Sequence, residues 1–338
     1  MHKEKFWQGK NVFITGDNGF QGGNLGKSLL ELGANVFGLL RNDRRDTFLY
    51  YEGLADKVTW INGDLTDVIL MKRIISEEQI NVIYHLAAQV EVGVGLVNPY
   101  LTFETNIKGT YCLMEAIREC PQTVEAVIVA STDKAYGSYG REMMPYKEDY
   151  PLIPKYPYDV SKACADMIAR SYASDVYNLP VIVTRFCNVY GPGQLNFSAL
   201  IPDAIRSALG YSEFIPRSDG SLERDFMFVD DVVRLYLIMG KELSVNPDKY
   251  SGEVFNAGTN TIHNVLSVLE KIYTITERID ELDKIKINMV GNKTIGEIDC
   301  QYMDYEKVNK YFGWEPKFNI ELGLKNTIPW YENYLKDK

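Results

Sequence analysis

Two short segments carry side chains whose types and spacing could move protons. Tyr158-Asp159-Val160-Ser161-Lys162 sets a phenol and an amine four positions apart, which on a helix brings both to one face. An ammonium beside a phenol favours phenolate, so Tyr158 could act as a base at neutral pH with Lys162 supporting it. Tyrosine and lysine at this spacing are commonplace on helix surfaces, and what gives the pair weight is its place in the chain. It follows Ser131-Thr132-Asp133-Lys134, a polar segment delivered by the apolar run at 127–130. Polar residues at the C-terminal end of a parallel strand sit on the edge where α/β sheets bind ligands. Capping and turn roles would explain Ser131, Thr132 and Asp133, but not a lysine among them. Asp133 kept protonated as an acid, beside Lys134 as a base, is what an elimination needs, because neighbouring groups pushed in opposite directions divide the two tasks.

Elements that could hold these groups alternate along the chain. Residues 11–15 read as a short buried strand and Gly16 to Gly23 as a glycine-rich turn. Leu25, Leu29, Leu30 and Leu32 then recur at roughly helical spacing until Gly33 ends the helix. Further strands are expected at 35–40, 58–61, 81–86, 124–130 and 181–185, with helices at 67–78, 100–119 and 157–177. Strands that are apolar throughout and alternate with helices indicate a parallel sheet covered on both faces, a Rossmann-type doubly wound α/β fold. After about residue 190 the regularity weakens into loops with short helices near 200–209, 230–241 and 262–275. The expectation is a dinucleotide-binding domain over 1–190 that carries the catalytic residues. A smaller C-terminal lobe over 191–338 would be mainly substrate-binding and interleaved with the first.

The turn itself, Thr15-Gly16-Asp17-Asn18-Gly19-Phe20-Gln21-Gly22, lies between a strand and a helix. Glycines there permit a tight turn and close approach of a pyrophosphate, with the helix N-terminus facing its charge. A glycine triplet alone marks many turns; the strand–turn–helix setting is what raises it to a cofactor loop. NAD-binding proteins place an acid at the end of the second strand to hold the ribose 2′-hydroxyl. Here Leu40 aligns there and is followed by Arg41-Asn42-Asp43-Arg44-Arg45. A guanidinium at Arg41 suits a 2′-phosphate, which favours NADP over NAD, the alternative being a solvated charge run.

Composition bounds the rest. The 338 residues are 46% hydrophobic and 24% charged, enough to bury a core without disulfide staples. A formal charge of −10 disfavours nucleic acid as a partner but not a small anion gripped by local arginines. Five cysteines without a Cys-x-x-Cys spacing, and three histidines outside any cluster with them, point to a reducing compartment and no metal. No signal peptide and no apolar run long enough to span a bilayer is seen, so a cytoplasmic location is expected.

The G-x-x-G-x-x-G spacing of Gly16, Gly19 and Gly22, with Asp64-Leu65 after one strand and His85-Leu86-Ala87-Ala88 after another, resembles the extended short-chain dehydrogenase/reductase family over nearly the whole chain. The resemblance implies that Gly16, Asn18, Gly19, Phe20, Gln21 and Gly22 hold the cofactor. It places Asp64 and Leu65 beside adenine, and has Leu86, Ala87 and Ala88 line the channel. Tyr158 and Lys162 would then complete the nicotinamide end. Within this family the Thr132-Asp133-Lys134 cluster, the opening Phe6-Trp7-Gln8-Gly9-Lys10 and the Leu86-Ala87-Ala88-Gln89 segment resemble the CDP-glucose 4,6-dehydratases. A Thr-Asp-Lys cluster also occurs in UDP-N-acetylglucosamine 4,6-dehydratases, so it does not fix the nucleotide.

That resemblance implies a nucleotide-sugar substrate, with Thr132 on the sugar 4-hydroxyl and Tyr158 removing its proton as C4 is oxidised. Lys134 would take the C5 proton and Asp133 would donate to the departing 6-hydroxyl, giving a 4-keto-6-deoxy sugar. Gln89, Asn188, Asn196, Leu200 and Arg224 are the implied substrate contacts, Asn188 and Arg224 on the diphosphate and Asn196 and Leu200 at the base. The Phe228-Val229-Asp230-Asp231-Val232 form departs from the CDP-glucose enzymes and is shared with epimerases and other dehydratases. A nucleotide-sugar 4-epimerase, needing only Tyr158, and a non-catalytic dinucleotide-binding regulator are the competing readings. The family also implies a homodimer through the helices expected at 100–119 and 157–177.

Overall fold

The computed structural model describes residues 5–289 and 297–338. Seven strands make one sheet: β1 (Asn11–Thr15), β2 (Asn35–Leu40), β3 (Thr59–Asn62), β4 (Val82–His85), β5 (Ala126–Ala130), β6 (Val181–Phe186) and β7 (Val254–Ala257). Their spatial order is β7-β6-β5-β4-β1-β2-β3 and every pairing is parallel. The chain winds outward from β1 through β2 to β3, then jumps back to place β4 on the other side of β1. The order therefore reverses between β1 and β4, and the C-terminal ends of those strands open a crevice.

The strands are apolar on both sides because both sides are covered. In β1, Val12 and Ile14 enter one core while Phe13 enters the other; in β5, Ile128 belongs to the first and Val127 and Val129 to the second. This is the two-residue alternation of a strand read from both faces. Helix α1 (Phe20–Glu31) follows the glycine turn, and Gly33 closes it at φ +83°. Helix α2 (Val68–Glu77) is capped by Asp67, whose carboxylate accepts from the backbone N–H of Ile69 and Leu70 at 3.0 Å each.

The helix expected at 100–119 is interrupted. Pro99–Phe103 is α-helical, Glu104–Lys108 forms a π-helical turn, and α3 (Gly109–Glu119) resumes the α pattern. Helix α4 (Pro157–Tyr172) stops five residues short of the expected 177, because Asn178 at φ +51° turns the chain back so that Leu179 N–H reaches the Tyr172 carbonyl. Beyond residue 190 the chain returns to the sheet: β7 extends its edge beside β6, and helix α5 (Val229–Val245) buries Val232, Leu235 and Tyr236 in the first core. The last helix, α6 (Ile320–Lys336), accommodates Pro329. The remaining strands are two or three residues long, Glu223–Arg224 between His263–Asn264 and Cys300–Gln301, and Asn188–Tyr190 beside Phe226–Phe228. Among the described residues no helix is long and apolar enough to cross a membrane.

One buried ion pair sets the position of α4 on the sheet. Arg185 of β6, 1% exposed, donates to both oxygens of Asp166 at 2.7 and 3.0 Å. Its remaining nitrogen donates to the Tyr136 hydroxyl at 2.8 Å, which donates in turn to Asn256 of β7 at 2.8 Å. Helix α4, the turn after β5 and the sheet edge are thus locked together through one guanidinium. Asp166→Ala leaves that cation buried without its carboxylate, and the expected loss is about 3–5 kcal/mol in urea unfolding monitored by fluorescence.

Candidate active site

A cleft of about 1120 Å³ runs along the C-terminal edge of the sheet and across the smaller lobe. At one end lies the glycine turn. Gly16 sits at φ +84° so close to the end of β4 that a Cβ there would meet the Ala87 nitrogen at 2.9 Å. A Cβ on Gly22 would come within 2.2 Å of the Gly16 carbonyl. The loop therefore closes only with glycine at these positions. Helix α1 starts at Phe20 with no side-chain cap, and Gly19, Phe20, Gln21 and Gly22 line the cleft. The uncapped first turn presents N–H groups to any anion lying there. Asn18 also lines the cleft and ties the loop to the next segment, donating to the Arg44 carbonyl at 2.9 Å and accepting from Thr47 at 2.6 Å.

Arg41, Asp64, Leu65, Leu86, Ala87 and Ala88 all face the same cleft. This bare-backbone cradle, an uncapped helix and a groove floored by strand ends fit an extended dinucleotide. Behind the groove a buried polar chain fixes β1, β4 and the π-helical turn to one another. His85 bridges Thr15 at 2.8 Å and Thr110 at 2.9 Å, and Thr110 donates to the Asn106 carbonyl at 2.6 Å. Asn106 donates to the Gln89 carbonyl at 3.0 Å and to Ser161 at 2.8 Å, and Ser161 donates to the Tyr158 carbonyl at 2.7 Å. The π turn puts Asn106 where it can hold both the strand end and the catalytic helix.

Gln89 itself is not a substrate contact in this geometry. Its side chain accepts from Thr102 at 2.9 Å and donates to the Glu91 carbonyl at 3.0 Å, so it is spent on holding the loop to the helix rather than facing the cleft. The other expected contacts do line it. Asn188 donates to the Asp225 carbonyl at 3.3 Å, and Asn196 accepts from Ser198 N–H and hydroxyl at 3.0 and 2.6 Å just before Leu200 opens the Leu200–Ala208 helix. Arg224, 8% exposed, donates to Glu297 at 2.6 Å and to the Glu223 carbonyl at 2.8 Å. Arg217 stands on the same wall, donating to the Ser198 carbonyl at 3.1 Å.

Thr132, Asp133, Lys134, Tyr158 and Lys162 meet at the centre. Thr132 caps the 3₁₀ turn Asp133–Tyr136 and donates to one Asp133 oxygen at 2.9 Å. The other Asp133 oxygen is buried with no partner. Burial raises the Asp133 carboxyl above the usual range and outweighs the opposing pull of Lys134. The Lys162 ammonium donates to the Ala130 carbonyl at 2.5 Å, and burial lowers it to about 8.

The expectation that Lys162 holds Tyr158 as phenolate is not met. Burial, then the Asp133 and Asp159 carboxylates, raise the phenol, and only Thr132 acts the other way. The amine is aimed at the strand carbonyl instead, so the phenol keeps its proton until another positive charge approaches.

Residues 13–327 match the GDP-mannose 4,6 dehydratase family. The chain belongs to this family. A dTDP-glucose 4,6-dehydratase from Xanthomonas campestris is 30% identical over 94% of this chain and 92% of its own. A CDP-glucose 4,6-dehydratase from Salmonella typhimurium is 27% identical over 99% and 94%. Among solved structures, the UDP-glucose 4-epimerase of Thermotoga maritima with UDP-glucose superposes with a TM-score of 0.85 at 28% identity, covering 96% of this chain and 99% of that one. The dTDP-glucose 4,6-dehydratase of Bacillus anthracis in complex with NAD gives 0.82 at 30% identity, covering 97% and 98%.

Within the family fold, sequence reasoning missed three groups that the structure brings to the site. Nothing local in the sequence marks the roles of Asn106 and His85, and only their hydrogen bonds to Ser161 and Thr15 reveal the chain they form. Asp159 adjoins Tyr158 and was read only as part of the Tyr-x-x-x-Lys string. His85 also titrates abnormally: burial, and then Lys162, lower it to about 3. Between about pH 3 and the ordinary value near 6.5 the unfolded chain binds a proton that the folded chain refuses. Stability therefore rises with pH through that window and falls as pH drops through it, by at most about 1.4 kcal/mol per pH unit from this one group. In His85→Gln the urea midpoint should vary less between about pH 5 and 7 than in the parent.

Proposed function

We propose that the protein is a nucleotide-sugar 4,6-dehydratase that converts an NDP-glucose to its 4-keto-6-deoxy product. The observation that carries this reading is the Asp133–Lys134 pair: a buried carboxyl with an unpartnered oxygen, next to an amine, in the cleft that Tyr158 and Thr132 share. When bound in the groove, a nicotinamide would supply the reversible oxidant for C4, and its positive ring would ease the proton off Tyr158. Thr132 and Tyr158 hold the 4-hydroxyl, and Tyr158 takes its proton. The ketone at C4 acidifies C5. Lys134, as free amine, takes the C5 proton, the electron pair forms the C5–C6 double bond, and the C6–O bond breaks as Asp133 gives its proton to the leaving hydroxyl, which departs as water. A hydride returned from the bound cofactor to C6, with the Lys134 proton delivered to C5, would complete the 4-keto-6-deoxy sugar, and the proton that Tyr158 took balances the one that Asp133 gave.

Arg224 is placed to hold the diphosphate, exchanging its bond to Glu297 for phosphate oxygens. Relatives act on dTDP-, CDP- and UDP-sugars by name, and the resemblance of the opening Phe6-Trp7-Gln8-Gly9-Lys10 and of Leu86-Ala87-Ala88-Gln89, alongside Thr132-Asp133-Lys134, to the CDP-glucose enzymes makes CDP-glucose the first candidate. The lean toward NADP is not supported. Arg44 and Arg45 pair with Asp46 and Asp43 at 2.8 and 3.2 Å, which leaves Arg41 alone as a 2′-phosphate ligand, and the Bacillus anthracis relative carries NAD. NAD is the cofactor we infer. A homodimer is favoured by the exposed apolar side chains of Val97, Tyr100, Leu101 and Met167 on the segments around α3 and α4. Cytoplasmic residence completes this reading.

The epimerase reading is favoured by the Thermotoga maritima superposition and predicts no change of mass. Purified protein given CDP-, UDP-, dTDP- and GDP-glucose without added reductant should yield one product lighter by one water, read by mass spectrometry. Lys134→Ala and Asp133→Asn should each lower that product's rate by about 10²-fold or more. An isomer of unchanged mass, formed equally well by both variants, would establish the epimerase instead. Light scattering should give twice the chain mass, and Tyr100→Glu should shift it toward the monomer.

A further inference from the structure

Asp159 is the titratable group nearest the reaction that the mechanism above leaves unused. It follows Tyr158 directly in the first turn of α4, is 2% exposed, and buries one carboxylate oxygen that has no partner among the described residues. A first-turn acid is ordinarily explained by the helix N-terminus, since Tyr156 caps α4 with no side-chain bond and Asp159 bonds its own N–H. That role is filled from the surface at no cost in desolvation. It does not account for an acid withdrawn from water with an oxygen to spare.

The first turn of α4 belongs to the helix that packs on the Asp133–Tyr136 turn after β5. The charges of Lys134, Asp133 and Glu297 all act on the Asp159 carboxyl, which acts in turn on Tyr158 beside it. Lys134 is the one cation in that set and makes no ion pair closer than the salt-bridge limit among the described residues. When a neutral amine takes a carbon-bound proton it becomes an ammonium inside a low-dielectric pocket, and a fixed carboxylate behind it stabilises that charge as it forms.

We propose that Asp159 is a positioning residue for the elimination, orienting the Lys134 amine toward C5 and stabilising the ammonium that forms there. This rests on the dehydratase reading and adds to it. The base is a Lys134–Asp159 couple, while Asp133 on the other side remains the acid. Burial keeps a proton on Asp133, against the pull of Lys134 and the Thr132 hydrogen bond, and Asp159 ionises to support the amine. Burial raises Asp159 to about 6, with Lys134 opposing the rise and Asp133 and Glu297 adding to it. Its carboxylate is therefore present above about pH 6 and is lost as pH falls through that value.

The test compares the parent with Asp159→Asn and Asp159→Glu. Asparagine keeps the hydrogen-bonding shape and removes the charge, and thermal melting reports whether the fold is kept. In Asp159→Asn, kcat for water loss should fall about 10- to 100-fold with KM for the NDP-glucose within about threefold. Oxidation at C4 precedes the step that Asp159 serves, so reduced-nicotinamide absorbance should still develop on mixing with substrate. The fall in kcat below about pH 6 in the parent should disappear from the profile of the variant, and Asp159→Glu should recover much of the lost rate. Parent-like kcat and pH profile in Asp159→Asn would overturn the proposal. So would loss of the reduced-nicotinamide signal together with water loss, since that marks a structural role.

A second measurement is independent of turnover. Acetylation of Lys134 by acetic anhydride, followed by peptide mass spectrometry across pH, should shift to lower pH in Asp159→Asn by about one unit, because a neighbouring carboxylate favours the ammonium. An unchanged Lys134 profile would refute the couple. If the parent dehydrates no sugar nucleotide yet the Lys134 profile shifts, the dehydratase reading has failed and the pairing of the two residues stands.

Discussion

Withdrawal of charge from water at the C-terminal edge of the sheet is the constraint on which the rest depends. A carboxyl in water is an anion and an amine a cation, and neither can exchange roles at neutral pH. At the ends of β4 and β5 the same groups are enclosed by the glycine turn, the 3₁₀ turn and α4. Asp133 is thereby pushed toward its acid form and Lys162 falls to about 8. His85 remains neutral between two threonines. Enclosure of this kind requires that backbones approach closely, and the loop between β1 and α1 achieves it by having no side chain where Gly16 meets Ala87 and where Gly22 meets Gly16. The site's electrostatics and its glycines are two aspects of one packing problem.

Enclosure also requires that each buried polar group be answered, and the answers form a scaffold. Lys162 is answered by the Ala130 carbonyl, Arg185 by Asp166 and Tyr136, and the π-helical turn by Asn106 reaching both Gln89 and Ser161. These bonds cross between elements distant in sequence: α4 to β5, β6 to α4, the loop after β4 to α4. The catalytic helix is held at three heights by groups that do no chemistry. Asp133 and Asp159 are among the exceptions, each with an oxygen that has no partner among the described residues, as have Ser131 and Asp17. Unanswered oxygens gathered near one end of the helix are where a reacting molecule would make up the difference.

Much of this was legible in the sequence where pattern and geometry coincide. The first βαβ unit could be read because Asn11–Thr15 and Asn35–Leu40 are apolar and the intervening turn needs glycine for steric reasons that sequence displays. The cluster at 131–134 was visible because a lysine among cap-type residues fits no local purpose. What stayed hidden depends on distance in space. The strand Val254–Ala257 is four residues long with a buried asparagine, and only its neighbour β6 makes it a strand. Helix α6 carries a proline that breaks the helical signature, yet its buried Leu324, Ile328 and Tyr331 hold it against the core. Gln89 was placed in the site because its neighbours are there, and a single turn of the backbone aimed it away. Lys162 was paired with Tyr158 by spacing on a helix face, but the strand end offers the ammonium a carbonyl oxygen, and a hydrogen bond to that oxygen is stronger than proximity to a neutral phenol.

The division of labour across the cleft explains how one fold can serve both epimerases and dehydratases. Thr132, Tyr158 and Lys162 line one cleft, and in the proposed reaction they serve a single carbinol carbon, so any reaction that begins by oxidising that carbon could use them. An epimerase must then leave the ketone free to turn, and acid or base groups near the adjacent carbons would only promote loss of the C5 proton. Asp133 and Lys134 do the opposite, and they sit on one 3₁₀ turn capped by Thr132 and closed by Gly137 at φ +78°. Because that turn is continuous with the strand that positions Thr132, the residue proposed to hold the 4-hydroxyl would also fix the proposed acid and base relative to C5 and C6. Changing two side chains on such a turn would alter the reaction without moving the oxidation site. In the proposed reaction the carboxyl of Asp159, contributed from the helix that carries Tyr158, joins the two halves, with α4 supplying one group to oxidation and one to elimination.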